Sequence, residues 1–71
     1  MDNDNVLIHV RFSPDGTVVE VSERPTTVRP QDWYNRLCEG AADHYQPLSG
    51  GRAVFRLTRE AVDALKGAAV A

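Results

Sequence analysis

Residues 6–12, Val-Leu-Ile-His-Val-Arg-Phe, run directly into Ser13-Pro14-Asp15-Gly16, and this junction limits the fold more than any other feature of the chain. The β-branched content and the alternation predict a strand with Val6, Ile8, Val10 and Phe12 on one face and Leu7, His9 and Arg11 on the other. Proline presets φ at the second turn position, and glycine accepts the positive φ that follows. The chain must therefore double back, with Thr17 to Glu23 as the return strand. A three-residue loop would set Val10 opposite Glu20 and mix the faces. A four-residue loop pairs Phe12 with Thr17, Val10 with Val19 and Ile8 with Val21, keeping one face apolar. That register is the expected one, and it sets His9 opposite Glu20.

After an irregular connection over residues 24–29, Pro30 suits the first turn of a helix, where its missing N–H costs nothing. Gln31 and Asp32 favour the positive end of the helix dipole. At about 100° per residue, Trp33, Tyr34, Leu37, Cys38, Ala41 and Tyr45 share one arc, with Asp32, Arg36, Glu39 and Asp43 opposite. The pattern predicts an amphipathic helix to about Tyr45, passing through Gly40 and ended by Pro47. His44 projects into the same apolar arc. Arg52 to Leu57 alternates again, with Ala53, Phe55 and Leu57 against Arg52, Val54 and Arg56, and reads as a third strand. Thr58 is a suitable N-cap for a last helix from Arg59 to about Ala69. Ala61, Val62, Leu65, Ala68 and Ala69 lie on its apolar side.

The expected fold is α+β, in the order β-β-α-β-α. A three-stranded, mainly antiparallel sheet carries both helices on the Val6/Ile8/Val10/Phe12 face. The very apolar first strand suits the centre, giving sheet order 2-1-3; order 1-2-3 is the alternative. Residues 1–71 read as one small domain with 1–5 and 68–71 frayed. At 71 residues such a domain buries only about 60% of its unfolded surface, so its margin of stability is thin and a partner or a second copy would help.

Net charge is −2, from 8 Lys and Arg against 10 Asp and Glu, which argues against a protein built mainly to neutralise phosphate backbones. No apolar run is long enough to span a bilayer, and the acidic start, Met1-Asp2-Asn3-Asp4-Asn5, is unlike a signal peptide. The single Cys38 excludes an internal disulfide and fits a reducing, cytoplasmic setting. No cofactor is expected. Two histidines and one cysteine show no metal-ligand spacing. Cys38 and His44, six residues apart, project about 120° apart around the first helix and do not face each other, so no nucleophile–base pair forms there. Leu48-Ser49-Gly50-Gly51-Arg52 resembles the signature loop of ABC-type ATPases over five residues. A strand follows instead of a helix and no Walker A sequence exists, so these residues read as a turn. An enzyme is not expected; the one residual route is a composite site around His9 and Glu20 in an oligomer.

With both helices on one side, the other sheet face should hold Leu7, His9, Arg11, Val18, Glu20, Ser22, Arg52, Val54 and Arg56. Three arginines and a histidine meet one glutamate there, in a chain of negative net charge, with Leu7, Val18 and Val54 as an apolar stripe. The expected function is a protein-interaction or regulatory module that contacts a protein partner or a second copy through this face. The candidate contact residues are Leu7, His9, Arg11, Val18, Glu20, Arg52, Val54 and Arg56. The alternative is a nucleic-acid-binding face with the arginines on phosphate. It is disfavoured because all five aromatics are assigned to the core or a helix, leaving no stacking platform.

Overall fold

In a computed structural model of the chain, which describes residues 5–70, the alternating segment forms strand β1 (Asn5–Phe12) and the return strand β2 spans Val18–Val21. Helix α1 (Pro30–Ala41) follows, then a single 3-10 turn (Ala42–His44), strand β3 (Tyr45–Leu48), strand β4 (Arg52–Thr58) and helix α2 (Arg59–Val70). All neighbouring strands are antiparallel and the sheet order is β2-β1-β4-β3. The α+β class is as expected, with both helices on one face of an antiparallel sheet and β1 between β2 and the Arg52 strand. The predicted frayed residues 1–4 and 71 lie outside the described residues; Asn5 opens β1 and residues 68–70 complete α2.

The sheet has one strand more than the sequence pattern suggests. The expected helix to Tyr45 stops at Ala41, because Ala41, the last residue of α1, departs from helical geometry (φ −145°, ψ 34°) and Tyr45 is already extended (φ −87°, ψ 135°). Pro47 cannot continue a helix, but an edge strand tolerates its missing N–H. Tyr45 therefore reaches the core from β3, opposite Phe55, rather than from α1. His44, expected in the apolar arc, is exposed in the 3-10 turn.

The β1–β2 register also differs from expectation. Ser13 N–H donates to Thr17 O at 2.9 Å, and Phe12 pairs with Val18, which is the three-residue-loop register. A bulge between Arg11 and Phe12 then shifts the pairing, so Arg11 lies opposite Glu20 and Val10 opposite Val21. The bulge resolves the conflict between turn geometry and face pattern: one extra residue in β2 restores the apolar side. The displaced residue is Val19, expected in the core and found 44% exposed. Gly16 holds the turn's positive φ of 91°. The Asp15 carboxylate accepts from the Ser13 hydroxyl and from the Thr17 N–H and hydroxyl, and these bonds, Ser13's foremost, hold its pKa down to about 2.

Ile8, Val10, Val21, Trp33, Leu37, Ala53, Phe55 and Val62 are fully buried in one cluster between sheet and helices. Each large side chain among them returns roughly 1.5–3 kcal/mol on burial. Trp33 satisfies its indole N–H on Ser22 O at 3.2 Å. Tyr34 is half-buried and meets Phe12, Tyr45 and Phe55 edge-on, with ring centroids 5.5, 6.3 and 6.1 Å away. Thr58 caps α2 as expected, its Oγ1 accepting from Ala61 N–H at 3.0 Å. α2 crosses α1 at Gly40, where an added Cβ would come within 2.6 Å of Leu65 Cδ2. No helix among the described residues is long and apolar enough to cross a membrane.

Candidate functional site

Because side chains alternate along a strand, the residues of β1 and β4 that do not enter the core share the face opposite the helices. Their register places Leu7 opposite Arg56, His9 opposite Val54 and Arg11 opposite Arg52. β3 adds Gln46 opposite Val54 and Leu48 opposite Arg52. β2 adds Glu20 opposite Arg11. Just beyond it, Ser22 accepts the His9 N–H through its hydroxyl at 2.8 Å and returns its own N–H to His9 O at 3.0 Å.

Three expectations about this face change. Val18 pairs with Phe12 on the core side of the bulge and packs against the core, so it leaves the candidate surface. Val54 stays on the face but is only 6% exposed, flanked by His9 and Gln46 on the neighbouring strands. The expected Leu7/Val18/Val54 stripe is replaced by two exposed leucines, Leu7 at 44% and Leu48 at 40%. Finally, the cross-strand His9–Glu20 pair, on which a composite catalytic site depended, does not form, because the bulge sets Glu20 against Arg11.

The charges on the face are unevenly matched. Glu20 accepts from Val21 N–H at 3.0 Å and from Arg24 Nε at 3.3 Å. Its carboxyl is held below the usual range by the Val21 amide first, then by Arg24, with the Arg11 charge adding less. Arg24 in turn donates to Val28 O at 2.8 Å. Glu23, at the rim, accepts from Arg59 Nη2 and from Lys66 Nζ, both at 2.7 Å. The two carboxylates near the face are thus engaged with other cations. Arg11, Arg52 and Arg56 are exposed, and none makes an ion pair with a described carboxylate. An open concavity of about 710 Å³ runs across this part of the sheet, lined among others by His9, Arg11, Glu20, Arg24, Leu48 and Arg52.

Leu7, His9, Arg11, Glu20, Arg52, Val54 and Arg56 are therefore brought onto one face as the pattern suggested, and Val18 is not. Sequence reasoning missed Gln46, Leu48 and Arg24. For the first two the sequence carries no clear signal, because Tyr45-Gln46-Pro47-Leu48 is too short to alternate and Tyr45 continues the helical spacing of Leu37 and Ala41. Elsewhere, Cys38 packs partly against the core, and Ser49-Gly50-Gly51 forms the β3–β4 turn, with positive φ at both glycines. No group of three or more His, Cys, Asp or Glu among the described residues is arranged to hold a metal ion. No known protein family, no curated protein and no solved structure matches the chain.

Proposed function

We propose that this small α+β domain is a protein-interaction module whose contact surface is the open sheet face. The observation that carries this reading is the juxtaposition of exposed leucines and arginines across adjacent strands, Leu7 beside Arg56 and Leu48 beside Arg52, on the side opposite the two described helices. Arginine with apolar neighbours, rather than lysine and glutamate, is the composition of interface centres. The face is also favoured over the sheet edges. β2 is four residues long and adjoins the bulge, while β3 is four residues long and contains Pro47, devices that discourage strand addition.

The test is affinity capture of the tagged protein from host lysate, with and without nuclease, beside a Leu7→Ser/Leu48→Ser variant. The expected result is one protein partner recovered under both nuclease conditions and lost from the variant, with the variant's fold intact by circular dichroism. A partner retained equally by the variant would move the contact off this face. The second reading is a nucleic-acid interface, favoured by Arg11, Arg52 and Arg56 sharing the surface. Against it stand the net charge of −2 and the packing of Phe12, Trp33, Tyr34, Tyr45 and Phe55 in or against the helix-side core. Captured material that disappears with nuclease would support it.

A further inference from the structure

Arg11 and Arg52 are direct cross-strand partners, an arrangement in which like charges destabilise a sheet. The nearest described carboxylate in register, Glu20, lies across β1 on the other side of Arg11 and is hydrogen-bonded to Arg24. Four residues along β4 from Arg52 stands Arg56, about 13 Å away at strand rise, with Leu7 opposite it. The face therefore offers two cationic points separated by a strand-like distance. Each has an exposed leucine beside it, and the nearly buried Val54 lies between them. A line of cations with this spacing complements acidic side chains that project to one side of an extended chain.

Resting on the reading of this face as a protein contact, we propose that its occupant is an extended acidic peptide segment of another protein. One carboxylate lies between Arg11 and Arg52, a second on Arg56, and apolar side chains lie against Leu48 and Leu7. Guanidinium–carboxylate hydrogen bonds are charge-assisted and give such a peptide both register and affinity. A carboxylate between Arg11 and Arg52 also removes the repulsion that the unoccupied sheet carries. A nucleic acid would supply the charge but would find no Phe, Tyr or Trp among the described residues of this face to stack against. A second copy of the chain, docked face to face about a two-fold axis, brings the same cationic surface against itself.

The probe is a synthetic peptide repeating Glu-Ser-Val-Ser (the Glu-Val peptide), which sets Glu at every fourth residue with Val between on the same side of an extended chain. It is titrated at low salt into the isotopically labelled full chain and followed by amide chemical shifts. Saturable shifts at His9, Leu48, Arg11 and Arg52 are expected, together with binding that weakens as salt is raised. Arg11→Ala/Arg52→Ala should weaken the peptide roughly tenfold or more. Arg29→Ala/Arg36→Ala, which removes the arginines paired with Asp32 and Glu39 near α1, should leave it unchanged. The spectrum of each variant reports whether it is folded. Equal binding of a Gln-Val peptide at the same residues would overturn the carboxylate proposal and leave the interaction face standing. Tighter binding of single-stranded oligothymidylate would overturn it in favour of nucleic acid, and self-association through this face would overturn it in favour of a second copy. Absence of shifts with the Glu-Val peptide also overturns it, while the Leu7/Leu48 variant in the capture experiment decides the interaction reading separately.

Discussion

Glu23 sits at φ 65°, a left-handed conformation that glycine adopts without strain and that costs a residue with a Cβ roughly 1–2 kcal/mol. Its carboxylate holds two cations of α2, Arg59 and Lys66, against the connection that leads from β2 to α1. The hydrogen bond from Arg59, then that from Lys66, lowers its pKa from an ordinary 4.5 to about 2. The folded state thus binds the proton more weakly than the unfolded chain. The stabilisation is complete above about pH 4.5 and is lost as pH falls from there to about 2. Denaturant midpoints measured across that window should fall for the wild type and fall less for Glu23→Gln. Part of the slope should survive, because Asp15 is depressed over a similar range. Glu23→Gly and Glu23→Ala both remove the carboxylate, but only glycine relieves the backbone. Chemical denaturation should therefore find the glycine variant the more stable by about 0.5–1 kcal/mol.

Single elements show where sequence rules suffice and where they compete. β1, β4, the Thr58 cap and the Trp33/Leu37/Ala41 stripe were legible because each carries an uninterrupted period and a matching end signal. β3 was not: Tyr45-Gln46-Pro47-Leu48 is too short to display alternation, and Tyr45 falls at helical spacing from Leu37 and Ala41. The β2 register was not legible either, because a three-residue turn and a continuous apolar face are incompatible without a bulge, and nothing in Val18-Val19 marks which valine is displaced. At the candidate surface these two misses have unequal effects. The bulge replaces Val18 with nothing, whereas β3 brings in Gln46 and Leu48. Gly40 has a reason the helical pattern could not supply, since Leu65 of α2 occupies the space of its missing side chain. Gly40→Ala should gain close to 1 kcal/mol of helix propensity and lose much of it by displacing Leu65. In a double-mutant cycle, Gly40→Ala should be more favourable in a Leu65→Ala background than in the wild type; equal effects in both would show that the crossing is not tight.

At the scale of the whole molecule, Arg11, Arg52 and Arg56 lie on the open sheet face without an ion pair to a described carboxylate, whereas Arg29, Arg36 and Arg59 at the helices are matched by Asp32, Glu39 and Asp63. A domain with a net charge of −2 thereby keeps one cationic side. The alternation in β1 and β4 made that side readable in advance; the depth of Val54 and the blunting of the sheet edges were not, because the first depends on Gln46 of β3 and the second on Pro47 of β3 and on the bulge beside β2. Pro47→Val would give the outer strand a continuous set of N–H groups, and light scattering across a concentration series should then show more self-association than the wild type does. The sheet order β2-β1-β4-β3 has a consequence for how the chain reaches its fold. β1 with β2, and β3 with β4, are hairpins between near neighbours in sequence, whereas β1 and β4 join residues forty or more positions apart. All the non-local strand pairing is concentrated in one central seam, so the search for the native topology reduces to bringing two preformed ribbons together once. Closing that long loop should set the folding rate. In stopped-flow kinetics, Ile8→Val and Phe55→Leu at the seam should slow refolding, whereas Asp15→Asn in the first turn should chiefly speed unfolding.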